Sequence, residues 1–192
     1  MTTVLSGSEP HHHCTRAATE VDLRAAMRHH AAGVAVVTTD ADELSGFTAS
    51  SVVSLSLEPP LLAFTVALGS QAWQAWRRAV VGTVHLLHEG QAEVSAFFAD
   101  PRRDRFDGTV PWHWSEDAGP ILDEALVWLT VSPMERLLTG DHATVVCLVT
   151  AVRTGQLLRP LVLHGGGYTT TGALQAYGQA RRRAAFAPPV KS

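Results

Sequence analysis

The chain has 192 residues, 46% of them hydrophobic, and a net charge of -3 with histidine neutral. That length sets one compact domain as the prior, able to bury roughly two thirds of the surface its unfolded form exposes. Lysine occurs only at Lys191 and the arginines are scattered, so no nucleic-acid-binding surface is indicated. Cys14 and Cys147 lie far apart with no CxxC pairing, which excludes a disulfide framework or zinc ribbon; Cys147 reads as a small core hydrophobe. No apolar run approaches the ~18 residues of a membrane span, and the first residues lack a signal peptide's basic start and apolar stretch. The expectation is a cytoplasmic protein with no membrane or nucleic-acid partner.

Residues 1–19 read as a flexible arm, rich in Ser, Gly and Pro and without periodicity. Its His11-His12-His13-Cys14 cluster lacks the rigid shell that ligands need, so no metal site is expected there. Thr19 with Asp22 has the pattern of a capping box, and Leu23, Ala26, Met27 and His30 recur at helical spacing. These predict an amphipathic helix over 20–31, ended by Gly33. The β-branched run Val34–Thr39 predicts a strand, and Asp40–Glu43 a polar turn. A second, irregular strand is expected from Leu44 to Leu57. Pro59 and Pro60 mark a corner, since proline cannot donate to a ladder.

Leu61–Ala67 reads as the next strand. Ser70 caps a helix carrying Trp73, Trp76 and Val80. Gly82–Leu87 is a strand, and Ala92–Ala99 a helix with Val94, Phe97 and Phe98 on one face. Residues 101–120 are expected as a long loop, of the kind that often carries function. Ala125–Leu138 and Ala143–Arg153 form a strand pair about the turn Thr139-Gly140-Asp141-His142. Leu161–Leu163, with Tyr168 beyond Gly165-Gly166-Gly167, is the last strand; 173–192, with Arg181-Arg182-Arg183, is a tail. Six or seven strands with three short helices make an α+β, mostly β protein. A closed antiparallel barrel removes its edges.

Several chemistries are missing: no GxGxxG follows a strand, and there is no P-loop, HExxH or GxSxG. Asp40/Asp42 and Asp123/Glu124 read as turn or capping residues rather than a glycosidase dyad. What stands out is a hydroxyl-rich segment, with Thr48, Ser50, Ser51, Ser54 and Ser56 inside residues 46–56. Alternation puts Thr48, Ser50, Ser54 and Ser56 on one face, although Val52 fits that pattern only with a bulge. Small hydroxyls beside backbone amides suit a planar polar ligand with a phosphate tail. An exposed, serine-rich strand is the other reading.

At this segment the chain resembles the flavin reductase-like family of FMN-binding split β-barrels, over residues 20–172. The resemblance rests on Gly33–Thr39, on Gly46-Phe47-Thr48-Ala49-Ser50-Ser51, and on Ser54-Leu55-Ser56-Leu57-Glu58-Pro59-Pro60. It continues through Gln91, Ser95–Ala99 and Arg105-Phe106 to Gly140-Asp141-His142. It implies a homodimeric, Greek-key-like split barrel that uses NADH (or NADPH) to reduce FAD or FMN for a flavin-dependent monooxygenase partner. By position it implies that Thr48, Ala49, Ser50 and Ser51 meet the isoalloxazine or ribityl chain, that Ser54 and Ser56 lie toward the phosphate, and that Pro59 shapes the corner. It also implies Ser70 near the phosphate, Phe106 and Tyr168 packing on the ring, and Gly140, Asp141 and His142 beside the nicotinamide. His142 is the positioning and hydrogen-bonding residue for hydride transfer. His85 stands where many members have asparagine, and would either replace an amide contact to the flavin or point away as a packed core or surface residue. Two other readings keep the same barrel: a non-enzymatic flavin carrier or redox sensor, and an oxidase of the pyridoxamine-phosphate type. The near-absence of lysine speaks against the oxidase.

Overall fold

The computed structural model describes residues 17–172. The His11–Cys14 cluster and Arg181–Arg183 lie outside the described residues. In chain order the elements are α1 (Glu20–Met27), β1 (Ala32–Gly33), β2 (Ala35–Thr39), β3 (Ser45–Ala49), β4 (Val53–Leu57) and β5 (Pro60–Ala67). There follow α2 (Gln71–Trp76), β6 (Gly82–Leu86), α3 (Ala92–Ala99), β7 (Trp112–Ser115) and β8 (Gly119–Leu122). The long strands β9 (Val127–Thr139) and β10 (His142–Thr154) and the short β11 (Leu161–His164) and β12 (Gly167–Thr170) complete the fold.

The main sheet is antiparallel, in the order β3-β2-β6-β9-β10-β5-β4. Its two outermost strands are consecutive in the sequence, joined only by residues 50–52. In a flat sheet β3 and β4 would stand six spacings apart, roughly 29 Å. The link from Ala49 to Val53 reaches at most about 14 Å. The sheet must therefore curl until its edges face each other, and the chain itself closes the barrel. No ladder joins β3 to β4, so the barrel is split along that seam.

Two apolar clusters follow from the alternation of side chains. Val37, Phe64, Trp76, Val84, Val131, Val145 and Cys147 pack in one. Val34, Val36, Leu87, Phe98, Leu122 and Leu161 pack in the other, outside β2 and β6. Consequently β2 is buried on both faces along its whole length. Cys147 behaves as a core hydrophobe, and burial pushes its thiol up to about 12.

Four expectations change. First, α1 stops at Met27 and buries none of its residues, so its apolar positions face outward; the capping box at Thr19 is present. Second, the 44–57 segment is two strands, because the chain crosses the seam at 50–52. Third, residues 112–122 form a hairpin within the expected loop. Buried polar side chains dock it: the Thr83 hydroxyl donates to the Ala118 carbonyl (2.9 Å), and Thr38 donates to the Pro120 carbonyl.

Fourth, His85 lies in the core and does not line the cleft described below. It is wholly buried, and both ring nitrogens are engaged by backbone. The Leu122 amide donates to Nε2 (3.1 Å), so Nδ1 carries the proton and donates to the Val36 carbonyl (3.0 Å). Burial holds its pKa down at about 4 against an ordinary 6.5, with the Val36 bond opposing and His113 reinforcing the shift.

The neutral imidazole therefore stabilises the fold fully above pH 6.5, and this contribution is lost as pH falls toward 4, where the unfolded chain binds the proton first. We expect about 3 kcal/mol of pH-dependent stability from this residue, read as the shift of urea midpoints between pH 7 and pH 4. His85→Gln should lack that component; an unchanged pH slope would contradict the assignment.

Candidate functional site

The seam leaves backbone groups of β5 without a strand partner, and a side chain takes the ladder's place. The Thr65 amide donates to Ser51 Oγ (2.9 Å). One turn of chain earlier, Thr48 Oγ1 donates to the Ser95 carbonyl on α3 (2.6 Å), leaving its lone pairs to the cleft. Between them Ser50 is exposed, and its hydroxyl has no hydrogen-bond partner among the described residues.

Opposite this wall, β5 runs out through Ala67 to Gly69 and Ser70. Ser70 accepts from the Trp73 amide (3.1 Å) and donates to the Ala67 carbonyl (2.7 Å), which caps α2. The third wall is Phe98, Ala99, Pro101 and Arg105. Together they enclose a cleft of about 600 Å³ that also holds Thr48, Ala49, Ser50, Ser51 and His142. Arg105 brings the cleft's one guanidinium. Its Nε donates to the Phe98 carbonyl (3.0 Å), and partial burial lowers its pKa while Asp100 raises it.

His142 reaches the cleft from the β9–β10 hairpin. Gly140 has φ +62 at the first of the two loop positions, as a type II′ turn requires. The hairpin fixes His142 opposite Ala67, and the Leu68 amide donates to the Asp141 carbonyl (3.0 Å). His142 Nδ1 lies 2.8 Å from Asp141 Oδ1, and the ring is 43% exposed. With Nδ1 tied to a carboxylate, Nε2 is the nitrogen left for a ligand. The same bond holds the Asp141 carboxyl below the usual carboxylate range.

The structure brings Thr48, Ala49, Ser50, Ser51, Ser70 and His142 together. It does not bring the other expected residues there. Ser54 and Ser56 line a separate apolar groove with Leu57, Leu61 and Leu129, because the break at 50–52 moves them off the face of Thr48. Pro59, after a cis bond from Glu58, sits at the β4–β5 corner and lines no part of the cleft. Phe106 packs edge-on between Phe98 and Trp112, with centroids 5.9 and 5.1 Å away, and faces a neighbouring cavity. Tyr168 lies behind the wall, its hydroxyl 2.8 Å from Ser95 Oγ, so it is tied to the residue that Thr48 bonds. Gly140 and Asp141 shape the turn beneath His142. Arg105, Thr65 and Gln71 line the cleft and were not picked out as site residues. The sequence signal for Arg105 is the Arg105-Phe106 pair within the flavin reductase-like resemblance.

The model for the flavin reductase-like domain matches residues 27–172, which includes the seam, the cleft and the hairpin. The chain belongs to the flavin reductase-like family. Within this family it is 38% identical over 152 residues to NADH:FMN oxidoreductase of Rhodococcus qingshengii, covering 77% of this chain and 79% of that one. It is 33% identical over 150 residues to the reductase subunit HsaB of a flavin-dependent monooxygenase from Mycobacterium tuberculosis, covering 77% and 80%. Among solved structures, the NADH:FAD oxidoreductase SgcE6 of Streptomyces globisporus C-1027, in complex with NAD and FAD fragments, superposes with a TM-score of 0.75. That match is at 29% identity and covers 80% of this chain and 93% of that one. Flavin reductase-like members thus share this chain's split barrel.

The Asp141–His142 contact is open to direct test. Titration followed by carboxyl NMR should find Asp141 ionising below the ordinary aspartate range, and returning upward in His142→Ala. An unchanged Asp141 value in the variant would mean the contact does not persist in solution.

Proposed function

We propose that this chain is an NADH-dependent flavin reductase that reduces FMN or FAD and releases it for the oxygenase component of a two-component monooxygenase. The observation that carries this is the convergence of the seam hydroxyls, His142 and Arg105 on one cleft. Its donor set fits a flavin. Neutral hydroxyls suit the polar edge of a planar ring, and one guanidinium suits a phosphate tail. The volume lies in the range of small-molecule and cofactor sites.

When both are bound, reduced nicotinamide supplies a hydride and the flavin accepts it; the chain supplies position. The Ser51–Thr65 and Thr48–Ser95 bonds hold the seam wall rigid, so its hydroxyls need no reorganisation on binding. His142, braced through Nδ1, presents Nε2 as a hydrogen-bonding group at the mouth of the cleft. Arg105, anchored through Nε, keeps its two terminal amino groups for an anion. Among the described residues the cleft is open to solvent, which suits exchange of flavin with solution. The NADH preference extends to NADPH as second donor, and the place of work is the cytoplasm. No helix among the described residues is long and apolar enough to cross a membrane.

The homodimer belongs to the same proposal. Edge strand β4 carries Val53, Leu55 and Leu57 outward, Leu57 at 88% exposure, beside the apolar groove of about 480 Å³. Such an edge is a liability unless covered, and a symmetric second copy covers it with the same surface. Light scattering should give twice the chain mass, and Leu57→Asp should shift it toward the monomer. A monomeric wild type would remove the dimer from the proposal.

For the activity, NADH oxidation followed at the reduced-nicotinamide absorbance should require added FMN or FAD. His142→Ala should lower kcat/KM about tenfold, a loss of ~1.4 kcal/mol of transition-state stabilisation. Arg105→Ala should raise flavin KM with little change in kcat. Flavin binding without NADH or NADPH oxidation would leave the chain a flavin carrier or redox sensor.

A further inference from the structure

The cleft does not end at the seam. Ser50 and Ser51 also form a wall of a second cavity of about 430 Å³. Its other sides are Arg24 and Arg28 at the end of α1, His30, and the β11–β12 turn at His164–Gly166. The turn is tied to the helix end: the Gly165 amide donates to the Arg28 carbonyl (2.9 Å). Gly166 has φ +86, and a Cβ there would stand 2.8 Å from an Arg28 terminal nitrogen. The glycine turn therefore leaves room for the guanidinium to lie against it. Arg24 is already paired with Glu20 at 2.6 Å. Arg28 has no carboxylate partner among the described residues, a state it shares with Arg77, Arg105, Arg136 and Arg153. An arginine with no carboxylate partner among the described residues and two histidines thus border a cavity that shares the Ser50–Ser51 wall with the ligand cleft.

We propose that this cavity receives the phosphate-bearing adenylate half of the reduced nicotinamide dinucleotide, with Arg28 as its anion contact. The proposal rests on the flavin reductase reading. That reaction brings two ligands together, and both carry phosphate. Arg105 lines the cleft on the α3 side, and Arg28 lines the second cavity across the seam. Arg105 lines the cleft itself and is partly buried, which suits the short phosphate tail of a flavin. The dinucleotide is the longer ligand. With its nicotinamide near His142, its second half must leave the cleft, and the seam hydroxyls lead it to Arg28. The phosphate met by Arg28 is either the pyrophosphate or a 2′-phosphate, the feature that separates NADPH from NADH.

The test compares wild type with Arg28→Ala, with Arg24→Ala beside them, using NADH, NADPH and reduced nicotinamide mononucleotide, which lacks the adenylate. Arg28→Ala should raise KM for NADH about fivefold to tenfold, the worth of one charge-assisted contact at a wet site. Flavin KM, kcat and KM for the mononucleotide should stay as in wild type, and Arg24→Ala should do less. Equal losses for NADH and NADPH place Arg28 on the pyrophosphate; a larger loss for NADPH places it on the 2′-phosphate. Unchanged KM for both dinucleotides, an equal loss with the mononucleotide, or a rise in flavin KM instead would overturn the proposal while leaving the reductase reading standing. Should wild type oxidise none of the donors, the reductase reading falls. Calorimetric titration with 2′,5′-ADP and AMP then judges the cavity itself: binding lost in Arg28→Ala upholds it as an adenylate site, and no binding to wild type ends it.

Discussion

Three residues that join the two edges of one sheet govern this molecule. Because Ser50, Ser51 and Val52 connect β3 to β4, the seven strands must curl until their ends meet. The link bridges the edges, yet no ladder joins β3 to β4. What remains is a slot lined with backbone groups that lack strand partners. Buried or half-buried backbone polar groups need partners, and here a serine hydroxyl supplies one, at Thr65. The hydroxyl-rich composition of the segment is thus a consequence of the seam as well as a means of binding. A groove that needs polar side chains for its own integrity is already furnished for a polar ligand.

The rest of the cleft depends on elements that meet at the same slot. α3 reaches it through Thr48 and Ser95, and its end leads to Arg105. The β9–β10 hairpin reaches it because the register opposite β5 brings His142 level with Ala67. Neither His142 nor Arg105 is near the seam in sequence. Their meeting is a property of the curl, and the hairpin's tight glycine turn sets how far His142 projects.

Much of this was legible in the sequence, where the signal was local. Thr19 and Ser70 cap helices as their side-chain chemistry dictates, α3 occupies the expected 92–99, and Gly140-Asp141 turns the long hairpin. The flavin reductase-like resemblance is matched by the family model over residues 27–172. What escaped was set by distant contacts. Alternation joined Thr48 to Ser54 and Ser56, but it assumed a continuous strand, and the seam breaks the strand between them. His85 stands where many family members have asparagine, which implied a flavin contact; its partners are the Val36 carbonyl and the Leu122 amide, the second 37 positions away. The 112–122 hairpin has little periodicity of its own, and is held by hydroxyls from β2 and β6. The outward apolar face of α1 satisfied a helical pattern without a core to receive it.

Flavin binding in the slot made by the seam is tested by a crystal structure of the full chain with FMN. The isoalloxazine should lie along Thr48–Ser51 with His142 at its open face and the phosphate toward Arg105. A flavin seated in the apolar groove beside Ser54 and Ser56, or an empty slot at saturating FMN, would contradict it.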